Sequence, residues 1–494
     1  MTKTVLQRTS PGQQGVRADG ISAFVRAAEG RGIALHSVMV ARHGVVVAEG
    51  WWEPYRSDQR HMMFSVSKSI TATAIGMAQD DGLLTVDDHL MDFFPSLGSR
   101  ENRRNMRDVR VRHLLAMATG HDVDTMEIMR ALPNEDWVRI FMGVPIVFPP
   151  GTHFLYNSGA SYVLSAIVTA RTGKSPRDYL RDRLWGPLGV VDPPWENSPG
   201  GLNLGASGVR LTTEELLKLG LLYLRGGSWG GQQVLSEAWV RDATSVHVSN
   251  GADADDDWAQ GYGFQIWRSR HDSYRLDGRY GQFAFVLPSS DAVVAITAGT
   301  SASRDIPDLL WEHLLPAFED EAIEGESDAV DAMHSLLRTR TVKVPPFLPP
   351  VRGEAELLSG TIELPFNTLH VTKVRLELDG EHVVMTLDTA EGRSETHRAH
   401  RSSWVAGYTE LWAHEEMHSV ATFETAGFTS STRLEIHQQL TDTPFRRSWI
   451  FEFRGGGRVQ VRVGLDNGFW TERTEILDAY VQGGSTAQLS RKAG

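Results

Sequence analysis

The chain has 494 residues, room for two to four domains at roughly 150 residues each, and a composition of 41% hydrophobic and 22% charged residues that excludes a disordered or fibrous chain. Lys and Arg number 49 against 62 Asp and Glu, a net charge of −13, so the cationic face that nucleic acid or an anionic membrane surface requires is missing. Cysteine is absent, which excludes disulfides, thiol nucleophiles and thiolate metal sites and leaves Ser, Thr, Lys, His, Tyr and carboxylates to carry any chemistry.

Residues 21–28 have helical apolar spacing, and 37–41 and 45–49 flank the turn residues His43 and Gly44 as a hairpin. From 67 to 79 small and β-branched residues run without a breaker until Gly82, which predicts one buried helix. Helical periods recur at 83–94, 111–119 and 135–142, then at 162–172, 176–184, 212–224 and 236–244. Segments 262–267, 283–287 and 292–297 read as strands, and 306–318 again as helix. The acidic stretch 319–328 and the stiff proline segment 344–350 predict a linker at 326–350. Beyond it, period-2 segments at 371–378, 382–387, 431–437, 448–453 and 458–463 alternate with Asp379-Gly380 and Gly455-Gly456-Gly457 turns. The expectation is an α/β domain at 1–325 with helical inserts at about 83–150 and 160–245, and an all-β barrel or sandwich at 351–494. No window approaches the roughly 18 apolar residues of a membrane span. Residues 1–15 lack a signal-peptide pattern, so a cytoplasmic location with no membrane or nucleic-acid partner is expected.

Ser65-Val66-Ser67-Lys68 is an S-x-x-K spacing at the start of the predicted buried helix. One helical turn puts Ser65 and Lys68 on one face, so a neutral Lys68 amine can take the serine proton and make a nucleophile. The helix start also offers the Ser65 backbone N–H as half of an oxyanion hole. With seven lysines in the chain, composition alone yields roughly half a chance match. One that falls at a helix mouth is rarer still.

The run 63–69 (Met-Phe-Ser-Val-Ser-Lys-Ser), followed by 81–88, by 112–120 and by Pro150-Gly151-Thr152, resembles the serine β-lactamase-like and penicillin-binding-protein-like hydrolases. Tyr156-Asn157-Ser158-Gly159 and the segment from Gly281-Gln282 to Pro288 continue the likeness in the same order, over about residues 15–318. Class C β-lactamases, D-alanyl carboxypeptidases, family VIII esterases and 6-aminohexanoate-dimer hydrolases belong to that group. The resemblance implies a mostly antiparallel sheet flanked by helices with a helical insert, and a nucleophile at Ser65. It also puts Tyr156 at a proton-relay position, where a phenol needs a pKa lowered by a neighbouring ammonium. Ser158 stands where the family usually has Asn, and Asn157 supplies an amide one position early. The third family element carries a cation, histidine or tryptophan; here the position falls on Leu276-Asp277-Gly278. Gly278 keeps the close backbone approach, Gln282 follows it, and Arg275 or Arg279 is left to replace the missing cation.

His414-Glu415-Glu416-Met417-His418 is a formal H-E-x-x-H, with Glu424 or Glu435 as a third ligand for a zinc hydrolase. It sits in a strand-rich region, where two imidazoles need not converge, and neither a metal nor another cofactor is expected. Trp404, Trp412, Trp449 and Trp470 read as core or as a ligand-lining group. The leading expectation is a serine hydrolase of small-molecule esters or amides acting through an acyl-enzyme on Ser65. An acyltransferase or peptide cyclase on the same scaffold and a non-catalytic binding module are the alternatives, and the oligomeric state is left open.

Overall fold

The computed structural model describes residues 6–411, 420–466 and 475–482. The first domain is built on a six-stranded antiparallel sheet of β1 (Leu35–Arg42), β2 (Val45–Trp51), β3 (Trp267–Ser269), β4 (Ser273–Gly278), β5 (Gln282–Leu287) and β6 (Ala292–Ala298). The spatial order is β2-β1-β6-β5-β4-β3, so the first hairpin and the last three strands, far apart in sequence, are neighbours. β1, β5 and β6 are buried at every position because helices cover both faces. On one face Val38, Val40, Val294 and Ile296 pack with Phe24 and Val25 of α1 (Ala18–Gly30). On the other, Met39, Ala41, Val293 and Ala295 pack with α2 (Val66–Asp80) and with α4 (Thr213–Leu224). α2 is buried all round and lies against α3 (Ser158–Thr172), the first long helix of the second helical insert.

Several expected elements differ, each for a local reason. Residues 83–94 form turns with one short 3-10 stretch, Leu90–Asp92, rather than a helix. Thr85 donates its backbone N–H and hydroxyl to Asp88, a local closure that competes with helical hydrogen bonding. The strand expected at 262–267 is reduced to single bridges at Tyr262, because Gln265 adopts φ 59° and turns the chain before β3. The helix expected at 306–318 runs from Asp305 to Leu309 and then loosens into a π stretch, Leu310–Leu314, and a 3-10 stretch, Leu315–Ala317. Residues 327–338, expected as linker, form helix α5 (Ser327–Arg338), whose Met333, Leu336 and Leu337 sit in the same core as α1.

The second domain is a barrel. Its strands are β7 (Thr361–Glu363), β8 (Val371–Asp379), β9 (His382–Thr389), β10 (Ser394–His400), β11 (Val405–Thr409), β12 (Val420–Ser430), β13 (Arg433–Leu440), β14 (Arg446–Arg454), β15 (Arg458–Asp466) and β16 (Glu475–Gln482). They follow the order β10-β9-β8-β7-β16-β15-β14-β13-β12-β11, and a parallel bridge between His400 and Thr425 joins β10 to β12. Alternate residues such as Leu376, Met385, Phe428, Ile436, Trp449 and Val461 fill the interior. The turn between β13 and β14 reaches the first domain. There the Met62 N–H donates to Asp442 O at 2.8 Å and the Tyr55 hydroxyl to Thr443 O at 2.9 Å.

Candidate active site

Ser65 is the residue from which α2 starts, and the residue before it, Phe64, takes φ 46° to make the turn. That turn lifts the Ser65 side chain onto the face that Lys68 shares one helical turn later. Lys68 Nζ lies 2.9 Å from Ser65 Oγ and donates to the Ala206 carbonyl at 3.0 Å. The carbonyl is held in place by the polar face of α2. The Thr71 hydroxyl donates to Gly205 O, and the Val209 N–H donates to Ser67 Oγ. Lys68 is 2% exposed, and burial lowers its pKa from 10.5 to about 7, against the opposing charges of Asp124 and Asp277. Near neutral pH about half of the amine is therefore uncharged and free to accept a proton, the state a general base requires.

Tyr156 completes the group. Its hydroxyl lies near the Ser65 and Trp267 side chains, which ease its ionisation slightly, its ring stacks on Trp267 at 5.4 Å, and Lys68 Nζ stands 4.9 Å from the ring centroid. Burial pushes the phenol pKa up rather than down. The expected lowering by a neighbouring ammonium fails because the same burial takes the charge off Lys68. The phenol is thus a protonated donor, and the amine is the group that titrates.

Asn157 and Ser158 lie at the head of α3, where the Asn157 side-chain oxygen and the Ser158 backbone N–H serve the scaffold. Asn157 Oδ1 accepts from the Thr125 N–H, the Thr125 hydroxyl and the Gly159 N–H, so it caps α3 and ties it to the helix Thr125–Arg130. The Ser158 N–H donates to Asp124 Oδ1 at 2.8 Å. Asp124 was not among the residues singled out from sequence, yet it caps Thr125–Arg130 and its charge bears on Lys68. An Asp directly before an apolar helical period is the signal that marks it. Gln265 is a second such residue. It takes the hydroxyl of Ser161 on Oε1, that of Ser69 on its carbonyl, and donates Nε2 to Leu114 O and Leu115 O. It thereby pins α2, α3 and Val111–Leu115 around the site; nothing in its sequence context distinguishes it.

On the sheet side, β4 ends at Gly278, where a Cβ would be driven into the Met63 carbonyl oxygen. Only glycine allows the strand end to lie against the turn that presents Ser65. Asp277 faces the site, where its charge raises the proton affinity of Lys68 and disfavours ionisation of Tyr156. Arg275 does not present its cation to the pocket. It is fully buried, bonded to Asp277 Oδ2 at 2.9 Å, to Asp257 O and to Ser269 Oγ, with its guanidinium 4.2 Å from the Trp258 ring centroid. Arg279 stands over the Tyr280 ring. Gln282 turns away to Arg279 O and Ala298 O, closing the β4–β5 turn instead of lining the site.

The segment 414–418, with Trp412 and Trp470, lies outside the described residues. Of the third ligands considered for it, Glu424 accepts from His397 and Gln438, and Glu435 is bonded to Arg433 and His437. No group of three or more metal-ligating side chains occurs among the described residues. Trp404 and Trp449 are not neighbours in one pocket: Trp404 donates to Thr341 beside the first domain, and Trp449 donates to Gln438 inside the barrel. Among the described residues no helix is long and apolar enough to cross a membrane.

The fold and this constellation define a serine-hydrolase class of enzyme with an added barrel. The chain matches the Beta-lactamase family over residues 21–314 and belongs to that family. It is 25% identical over 307 residues to the 6-aminohexanoate-dimer hydrolase of Paenarthrobacter ureafaciens, covering 58% of this chain and 78% of that one. It is 27% identical over 292 residues to penicillin-binding protein 4 of Amycolatopsis lactamdurans, covering 51% and 75%. A Bacillus anthracis structure provisionally described as a 6-aminohexanoate-dimer hydrolase superposes with a TM-score of 0.50 at 16% identity, over 68% of this chain and 88% of its own.

Proposed function

We propose that the protein hydrolyses esters or amides of small neutral acyl compounds through an acyl-enzyme on Ser65. The observation that carries the reading is the buried Lys68 amine, brought to a pKa of about 7 and 2.9 Å from Ser65 Oγ. Lys68 takes the Ser65 proton as Oγ attacks the substrate carbonyl carbon. The carbonyl oxygen, gaining the electron pair, is received by the Ser65 N–H and by the strand end just beyond Gly278. Tyr156, protonated and beside Ser65, passes a proton to the departing alcohol or amine and recovers it by way of Lys68. Water then attacks the acyl-enzyme with the same base, and Ser65 leaves with its proton restored.

A fluorophosphonate probe tests this directly, since it reacts only with an activated serine. Wild type is labelled at Ser65, and Ser65→Ala and Lys68→Ala are not. Equal labelling of wild type and Ser65→Ala removes Ser65 as the nucleophile.

A further inference from the structure

Two chain segments meet where the proposed oxyanion site lies, and each carries a bulky aromatic residue in the left-handed region. Phe64, directly before Ser65, has φ 46°, and Tyr280, two residues after Gly278, has φ 68°. Such conformations are unfavourable for side chains of this size and persist only where the surroundings over-determine them. Here the other domain supplies part of those surroundings. Phe445, from the turn between β13 and β14, meets both rings edge to face. The centroid distances are 6.3 Å to Phe64 and 5.5 Å to Tyr280, and Phe64 and Tyr280 are 5.1 Å apart. Met62, Val420 and Leu440 close the cluster.

The backbone is fastened at the same place. Met62 N–H donates to Asp442 O of the barrel turn at 2.8 Å, and Met63 N–H donates to Val209 O of the first domain at 2.9 Å, so the strand leading to Ser65 is held from both sides. The barrel turn itself is stiff, closed by Leu440 N–H to Phe445 O and Thr443 N–H to Leu440 O. Tyr55 adds a second rivet, donating to Thr443 O and accepting from Gln439 Nε2 at 2.7 Å. On the far side Thr300 N–H donates to Tyr280 O, and Gly299 lies so close to Pro444 O that a Cβ there would stand 2.6 Å from it.

We propose that the barrel turn 440–445 clamps together the two segments that form the oxyanion site, with Phe445 as the positioning residue acting through Phe64 and Tyr280. This rests on the reading of Ser65 as the nucleophile. Phe445 touches no reacting atom. Its effect is on where the Ser65 N–H and the chain after Gly278 point. Losing it therefore weakens transition-state stabilisation and leaves both the titration of Lys68 and ground-state binding in place.

The experiment uses the full chain, with Phe445→Ala and the milder Phe445→Leu. Four quantities are read: kcat and KM on p-nitrophenyl butyrate, their pH profile, the affinity for an aryl boronic acid that adds to Ser65 as a tetrahedral anion, and Tm. Phe445→Ala is expected to lower kcat and boronate affinity at least tenfold, with KM within threefold of wild type and the pH midpoint unmoved; Phe445→Leu recovers part of both losses. A folded Phe445→Ala with kcat and boronate affinity within twofold of wild type overturns the clamp, as does a change confined to KM. Should Phe445→Ala fail to fold, Phe445→Leu decides by the same criteria: kcat and boronate affinity lowered at least threefold support the clamp, and both within twofold overturn it. Absence of fluorophosphonate labelling at Ser65 in wild type overturns the nucleophile instead, so the two failures are told apart.

Discussion

Replacing Lys68 by Met is expected to abolish turnover and, near neutral pH, to make the protein more stable. The amine is 2% exposed and its pKa falls from 10.5 to about 7 on burial. Between those values the unfolded chain holds a proton that the folded chain does not, so stability rises with pH across the window and the penalty is complete below pH 7. At about 1.36 kcal/mol for each tenfold change in proton affinity, the gap of 10.5 less 7 costs the fold about 5 kcal/mol at low pH and about 2 kcal/mol at pH 9. Methionine fills similar space but leaves Ala206 O and Ser65 Oγ without the amine, at a cost of about 1–3 kcal/mol. At pH 7, where the folded amine is half titrated, the penalty is about 4 kcal/mol, so the net gain is about 2 kcal/mol there and close to nothing at pH 9. Unfolding of wild type and Lys68→Met at both pH values measures it, with turnover recorded alongside. A variant less stable than wild type at pH 7, or a difference that does not shrink toward pH 9, refutes the assignment of a neutral buried amine. In wild type the same titration makes kcat/KM fall about tenfold per pH unit below 7 and level off above it.

Tyr156→Phe keeps the stack on Trp267 and removes only the hydroxyl; kcat is expected to drop by about 10²-fold with the pH midpoint unchanged, and a moved midpoint would assign the titration to the phenol. Gly278→Ala forces a Cβ into the Met63 carbonyl, a backbone atom that no rotamer change relieves; turnover should vanish with a loss of about 1–3 kcal/mol in stability, while Gly143→Ala, which meets nothing within 4 Å, serves as the unaffected control. Kinetics on p-nitrophenyl butyrate, benzylpenicillin and a D-Ala-D-Ala peptide should give the neutral ester the highest kcat/KM, because the Arg275 cation is buried against Asp277 and the Asp277 charge faces the site. Asp277→Asn should narrow that gap and shift the pH midpoint down, since the Asp277 charge supports the proton on Lys68; equal or better efficiency of wild type on the anionic pair would show that a cation does reach the pocket.

What the sequence made legible is what depends on local spacing. Ser65 and Lys68 are one helical turn apart in any helix that starts at this point, and hairpins such as β1–β2 carry their turn residues between their strands. The parts that were not legible depend on long-range packing. Nothing in Arg275 reveals that its guanidinium is buried beneath Trp258 and bonded to Asp277, Asp257 O and Ser269 Oγ, or that Gln282 turns back on its own loop. The direction of the Tyr156 pKa is not legible in the sequence because it follows from desolvation, which requires the surrounding walls to be known. Helix α5 reads as linker in the sequence because its flanks are acidic and proline-rich; its three buried residues are too few to stand out against them.

Lys68 is near neutral, Tyr156 stays protonated, and the Asp277 carboxylate is matched by Arg275. On the proposed mechanism, then, the positive charge that forms sits on Lys68, on the Ser65 Oγ side, and the developing oxyanion itself is received by backbone N–H groups. Dipoles are effective only when they are aimed, and their stabilisation falls steeply as the N–H turns away from the oxygen. A site with a lysine or arginine over the oxyanion tolerates small shifts of its loops, because a point charge acts in every direction. This one does not have that tolerance. The glycine at 278, the two left-handed aromatics and the barrel turn that grips them are consistent with that demand: each fixes the direction of a backbone segment and none contributes charge.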